Sequence, residues 1–160
     1  INFDIWRTVF MPNKNESGIR FRAKFFTCDL NVAKTPNVPC TYNLAPESFL
    51  NYFSSLKITY TNGDMTRTKS AIALPSSLGR AYNTDGATPP GGSGDTIKPE
   101  ADTTFIFADN LSVVENNPVT VSVTGTLYQK IPFRIVIEAE KDINGAPVIF
   151  GKATADFVMP

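Results

Sequence analysis

The sequence predicts an all-β protein: an antiparallel β-sandwich, immunoglobulin-like or jelly-roll-like, with one short helix. Three observations predict it. Thr, Ser and Asn together make 40 of the 160 residues, a composition that suits strands joined by polar turns. Apolar/polar alternation recurs along the chain and is cleanest over residues 19–28, where Ile19, Phe21, Ala23 and Phe25 share one face and Arg20, Arg22 and Lys24 the other. Two Asn-Gly pairs, Asn62-Gly63 and Asn144-Gly145, stand between strand-like runs, the strongest short hairpin signal. The length fits one domain over residues 1–160 with a core of its own.

The elements follow in order. Residues 1–11 alternate, with Ile1, Phe3, Ile5, Val9 and Met11 on one face, interrupted only by Arg7, and Asn2, Asp4, Trp6, Thr8 and Phe10 on the other; a strand is expected. PNKNESG (12–18) reads as a turn or short linker. Residues 19–28 form a half-buried strand with a basic outer face. Residues 46–54 carry a short helix, with Pro46 at its first position, Glu47 favouring the N-terminal turn, and Phe49, Leu50 and Phe53 to bury. Strands at 56–61 and 64–74 flank Asn62-Gly63, whose preferred type I′ turn needs positive φ at both residues. Residues 79–100, with three prolines, five glycines and no apolar periodicity, read as a long flexible surface loop. Strands are expected at 103–108, 118–128, 131–139 and 147–159, the last two pairing through Asn144-Gly145.

Composition restricts function. There is no histidine, which removes Ser-His-Asp triads, Cys-His dyads, His-ligated zinc and histidine pH switching. Net charge is zero, unlike a nucleic-acid binder that relies on global positive charge. No run of 18 apolar residues is present, so no membrane span is expected. No G-x-G-x-x-G, P-loop or C-x-x-C motif occurs, and neither a cofactor nor a metal is expected. Asp102 with Asp109, or Asp142 with Asn144, lack the spacing of an EF-hand calcium loop. Glu138 and Glu140 fall on one face of a strand, where two carboxylates could do acid–base work; a solvated strand face is the expected reading. No catalytic residue is assigned, and the chain is expected not to be an enzyme.

Cys28 and Cys40 have eleven residues between them. In an exported protein they form one disulfide worth about 3 kcal/mol in the chain-entropy model; the alternative is a pair of buried thiols in a cytosolic protein. The expectation is an extracellular or cell-surface chain. Two Asn-X-Ser sequons, at Asn15 and Asn110, are no more than this composition yields by chance. Among the polar-tipped aromatics Trp6, Tyr42, Tyr52, Tyr82 and Tyr128, the candidates for ligand contact are Trp6, on the mixed face of the first strand, and Tyr82, in the long loop. Charge is unevenly placed: residues 1–80 hold ten Lys/Arg and five Asp/Glu, residues 81–160 five and ten. Halves in separate regions would make a bipolar molecule prone to head-to-tail filaments; interleaved strands would cancel the asymmetry.

The alternating segment 1–11, followed by a polar linker, resembles the donor strand of fimbrial subunits from the bacterial chaperone–usher system. The C-terminal run GKATADFVM resembles the final strand of those subunits, with Met159 where they usually carry a penultimate Tyr and with cysteines closer together than theirs. The resemblance implies a non-enzymatic extracellular subunit of a surface fibre, assembled by β-strand complementation. Ile1, Phe3, Ile5, Val9 and Met11 would then be the residues that plug a protein partner, whether a neighbouring subunit or a chaperone, and host receptors or glycans are the candidate ligands. The other readings are a viral or phage jelly-roll structural protein, a monomeric secreted lectin or inhibitor, and a small carboxylate-based glycan-active enzyme.

Overall fold

A computed structural model describes residues 1–28, 37–75 and 102–157, with residues 64–75 described by backbone alone. Among the described residues, nine strands and one 3₁₀ turn follow in order: β1 Asn2–Phe10, β2 Glu16–Cys28, β3 Tyr42–Leu44, the 3₁₀ turn Glu47–Tyr52, β4 Phe53–Asn62, β5 Asp64–Pro75, β6 Thr104–Val113, β7 Val119–Leu127, β8 Phe133–Ile143 and β9 Ala146–Phe157. They form two antiparallel sheets packed face to face, the all-β sandwich expected. The first sheet has the order β1-β7-β4-β5. In the second, β2 pairs β8 and β8 pairs β9, while the other edge of β2 is shared by β6 and the short β3.

The core follows from alternation. Ile19, Phe21, Ala23 and Phe25 of β2 are fully buried, as are Ile58 of β4, Phe105 and Phe107 of β6, and Phe133 of β8. Residues of both sheets join one apolar cluster. At one end of the sandwich Phe3, Phe25, Phe49, Phe53, Phe133 and Phe157 pack with ring centroids 5.2–6.2 Å apart, the edge-on and tilted geometry aromatic quadrupoles favour.

Several boundaries differ from expectation for local reasons. The 12–18 segment is not turn throughout, because β2 already begins at Glu16, whose carboxylate is held by Lys141 at 3.0 Å. The helix expected over 46–54 is a single 3₁₀ stretch: Phe53 passes straight into β4 and pairs with Leu127, so no room remains for α-helical turns. Asn144 and Gly145 both take positive φ (54° and 81°) and close a two-residue loop between β8 and β9, as expected. Asn62-Gly63 departs from type I′, since only Gly63 has positive φ. Asn62 is held instead by its buried side chain, which accepts from the Val114 N–H (2.6 Å) and donates to the Asn117 carbonyl (3.1 Å).

Topology interleaves the two halves of the chain in the second sheet. β2, from the basic half, pairs with β8, from the acidic half, setting Arg20 opposite Glu140 and Arg22 opposite Glu138. The segment 79–100 lies outside the described residues.

Candidate functional site

The N-terminal strand, the feature singled out from sequence, is an edge strand of the first sheet. It is hydrogen-bonded along one side to β7, from Asn2 opposite Thr126 to Phe10 opposite Val119. The Ile1 ammonium donates to the Leu127 carbonyl (3.0 Å), and the Leu127 N–H donates to the Ile1 carbonyl (2.8 Å). Of its five apolar residues, Phe3, Ile5 and Val9 are buried, whereas Ile1 and Met11 flank the core exposed. Phe3 sits opposite Gly125, where an added Cβ would lie 2.8 Å from its ring.

Across the sandwich β1 faces β9, the edge of the second sheet. The inward residues of β9 are small there: Gly151, Ala153 and Ala155. A Cβ on Gly151 would come within 2.5 Å of the Val9 carbonyl oxygen. The two edges thus close a seam, with Ile5 beside Ala153 and Ala155 around a slot of about 10 Å³, no larger than one water needs. Arg7, at an inward-phase position, stays exposed by donating to the Trp6 carbonyl (2.8 Å). Sequence reasoning identified β1 but not its dock; the signal was the same-parity run of Gly, Ala and Ala in GKATADF. The linker after β1 is tied down at two points: the Pro12 carbonyl accepts from Asn116 N–H (2.9 Å) and the Asn15 side chain from Glu115 N–H (3.0 Å).

Trp6 projects from the outer face of the first sheet, 61% exposed. It lies opposite Ser122, and hydroxyls continue along the two strands at Thr8, Thr124 and Thr126. Beside it a shallow depression of about 480 Å³ is lined by Asn2, Ser55, Lys57, Thr124 and Thr126. Tyr82 lies outside the described residues.

Glu138 and Glu140 correct the expectation of a solvated strand face: both are buried. Their strand is central, and long basic side chains from β2 close over them. Lys24 reaches Glu138 at 2.8 Å; Arg20 reaches Glu140 at 2.8 Å and Asp142 at 2.9 Å, and Arg22 also binds Glu140. Burial pushes the Glu140 carboxyl up, but hydrogen bonds and charge from Arg20 and Arg22 outweigh it and hold it below the usual carboxylate value. Arg134 grips Asp156 through two bonds (2.6 and 3.0 Å), lowering that carboxyl as well, and stacks over Tyr42 at 4.4 Å. These acids are cation-bound structural groups. Neither the 480 Å³ depression nor a 240 Å³ hollow at Thr27, Pro46, Ser48, Phe49, Tyr52 and Ile131 has an acidic lining residue. Among the described residues, no three acidic or cysteine side chains are grouped to hold a metal, and no helix is long and apolar enough to cross a membrane.

The lowered carboxyls of Glu16, Glu140 and Asp156 set a pH dependence. A depressed folded value means that the unfolded chain binds protons first, so these pairs stabilise fully above the ordinary range and lose that contribution as pH falls. The melting temperature is expected to stay level from pH 7 to about 5 and to fall below about 4. A melting temperature that rises between pH 5 and 3 would contradict these pairings.

Cys28 and Cys40 are joined by a disulfide, their Cα atoms 5.5 Å apart, which is compatible with an oxidising compartment. Cys28→Ser is expected to lower stability by about 3 kcal/mol under oxidising conditions, read as a shifted denaturation midpoint; native titration of two free thiols in the parent chain would refute the bond. Compared with known proteins, the chain matches no family model, no curated sequence and no solved structure.

Proposed function

We propose that this chain is an exported, non-enzymatic structural or adhesive subunit that assembles by exchanging its first strand between copies or with a chaperone. The observation that carries the reading is the construction of the β1 seam. Phe3, Ile5 and Val9 are buried along the seam between two sheet edges, yet among the described residues β1 is bonded to a single neighbouring strand and is followed by a five-residue linker, Met11–Asn15. Such an element can vacate its own seam and fill an identical one, with main-chain bonds supplying affinity and alternate side chains supplying specificity. Trp6 and the hydroxyls around it provide an outward surface suited to a glycan, because an indole face stacks on sugar C–H groups while hydroxyls bond to hydroxyls.

The chain beginning at residue 12, mixed with a synthetic peptide of residues 1–11, tests this. The peptide contains the only tryptophan of the sequence, so its fluorescence anisotropy reports docking directly. Expected are saturable binding, recovery of the truncated chain's melting temperature, and concentration-dependent oligomers of the full chain. No peptide binding, together with a full chain that stays monomeric at every concentration, would sink strand exchange.

A further inference from the structure

Two open sheets have four edges, and exposed rows of N–H and C=O groups recruit foreign strands unless they are blunted. Three edges here are blunted. β1 has Arg7 at an inward-phase position and a register shift between Thr8 and Phe10. The register of β5 against β4 shifts twice, and β5 ends at Pro75. The third edge is divided between β6, irregular against β2 at three places, and the three-residue β3.

The fourth edge, β9, is blunted only in its first half, by Pro147 and by a bulge at Phe150. Its second half, Gly151–Phe157, keeps unbroken register with β8 from Ala139 to Phe133. It has no proline, no bulge and no inward charge. Among the described residues, β8 is its one strand neighbour.

We propose that this half-strand is a homodimer interface, β9 pairing antiparallel with β9 of a second copy about a two-fold axis through Thr154. Charge selects the occupant and the register. Lys152, Thr154 and Asp156 are exposed on one face of β9. Centring the pair on Thr154 sets Lys152 of each copy against Asp156 of the other. Sliding the axis to residue 152 or 156 would instead set identical charges opposite each other, which destabilises a cross-strand pair. On the inward face Ala153 meets Ala155 of the second copy, side chains small enough to admit close approach. Asp156 can serve both partners, since a carboxylate offers about four acceptor sites and Arg134 uses two. The two five-stranded sheets become one continuous sheet. The contact is isologous and closes at two copies, so it is independent of β1 exchange, which is open-ended. A seven-residue strand contact falls below the ~1,200 Å² of a standard interface, so the dimer is weak and concentration-dependent.

Sedimentation velocity of the full chain over a roughly hundredfold concentration range should show a monomer–dimer equilibrium. Lys152→Glu should weaken dimerisation at least tenfold. Mild oxidation of the Thr154→Cys chain should give a covalent dimer, whereas Thr124→Cys, on the opposite sheet, should not. Oligomers larger than a dimer that persist in the full Lys152→Glu chain report strand exchange, which separates failure of this interface from failure of that reading. A parent chain that is monomeric throughout and does not cross-link through Thr154→Cys overturns the proposal, as does a dimer indifferent to Lys152→Glu.

Discussion

Phe3→Ala is expected to cost about 3–5 kcal/mol of folding stability, the range for deleting a buried aromatic. The ring meets Phe133 at 5.2 Å, Phe157 at 5.7 Å and Phe53 at 5.8 Å, so its removal opens the apolar cluster from the edge inward. The opposing residue on β7 is Gly125, which has no side chain with which to fill the void. Met11→Ala, at an exposed site just after the same strand, should change stability by less than about 0.5 kcal/mol. Denaturant midpoints at constant slope give both values. A Phe3→Ala loss as small as that of Met11→Ala would mean that the seam does not hold β1, and the docked strand described above would be wrong.

Gly151→Val is expected to dislodge the second half of β1 selectively. A Cβ at residue 151 would lie 2.5 Å from the Val9 carbonyl oxygen and 2.6 Å from the Phe10 Cβ. The nearest of these is main chain and cannot swing aside, so either β1 or β9 must move. Overpacking of this kind costs about 1–3 kcal/mol or more. Hydrogen exchange should locate the damage, with the amides in the second half of β1 that bond to β7 losing protection while those of β2 and β8 in the centre of the second sheet retain it. Uniform protection, or unchanged exchange in that half of β1, would show that the close approach across the seam is absent in solution. If β1 is exchanged as proposed, the same substitution should also weaken binding of the 1–11 peptide, because a donated strand would use the dock of the resident one.

Local pattern was sufficient where one face of a strand meets the core. The parity of Ile19, Phe21, Ala23 and Phe25 identified β2 and its buried face, because each second side chain must leave water together. The Asn144-Gly145 turn was equally legible, since positive φ at both residues is the local preference of the dipeptide and is realised there. Asn62-Gly63 has the same letters and a different outcome, because a buried amide clamped to Val114 and Asn117 outweighs the local preference. β3 escaped notice: three residues carry too little periodicity to register, and it exists only by pairing with the end of β2.

The candidate site divides along the same line. Segment 1–11 announced itself as a strand with five apolar residues on one face, but nothing local reveals that only Phe3, Ile5 and Val9 are buried or that their dock is Gly151, Ala153 and Ala155, some 140 residues later. Charge shows the contrast most sharply. Residue order alone carries the opposite charge excesses of the halves, the absence of histidine and two cysteines near enough along the chain to bridge. That β2 lies beside β8, so that Glu138 and Glu140 are buried under Lys24, Arg20 and Arg22 and these charges pair, follows from the fold. The physical reason is that periodicity specifies which face of a strand turns inward, whereas the neighbour across which its outward charges pair is specified by topology.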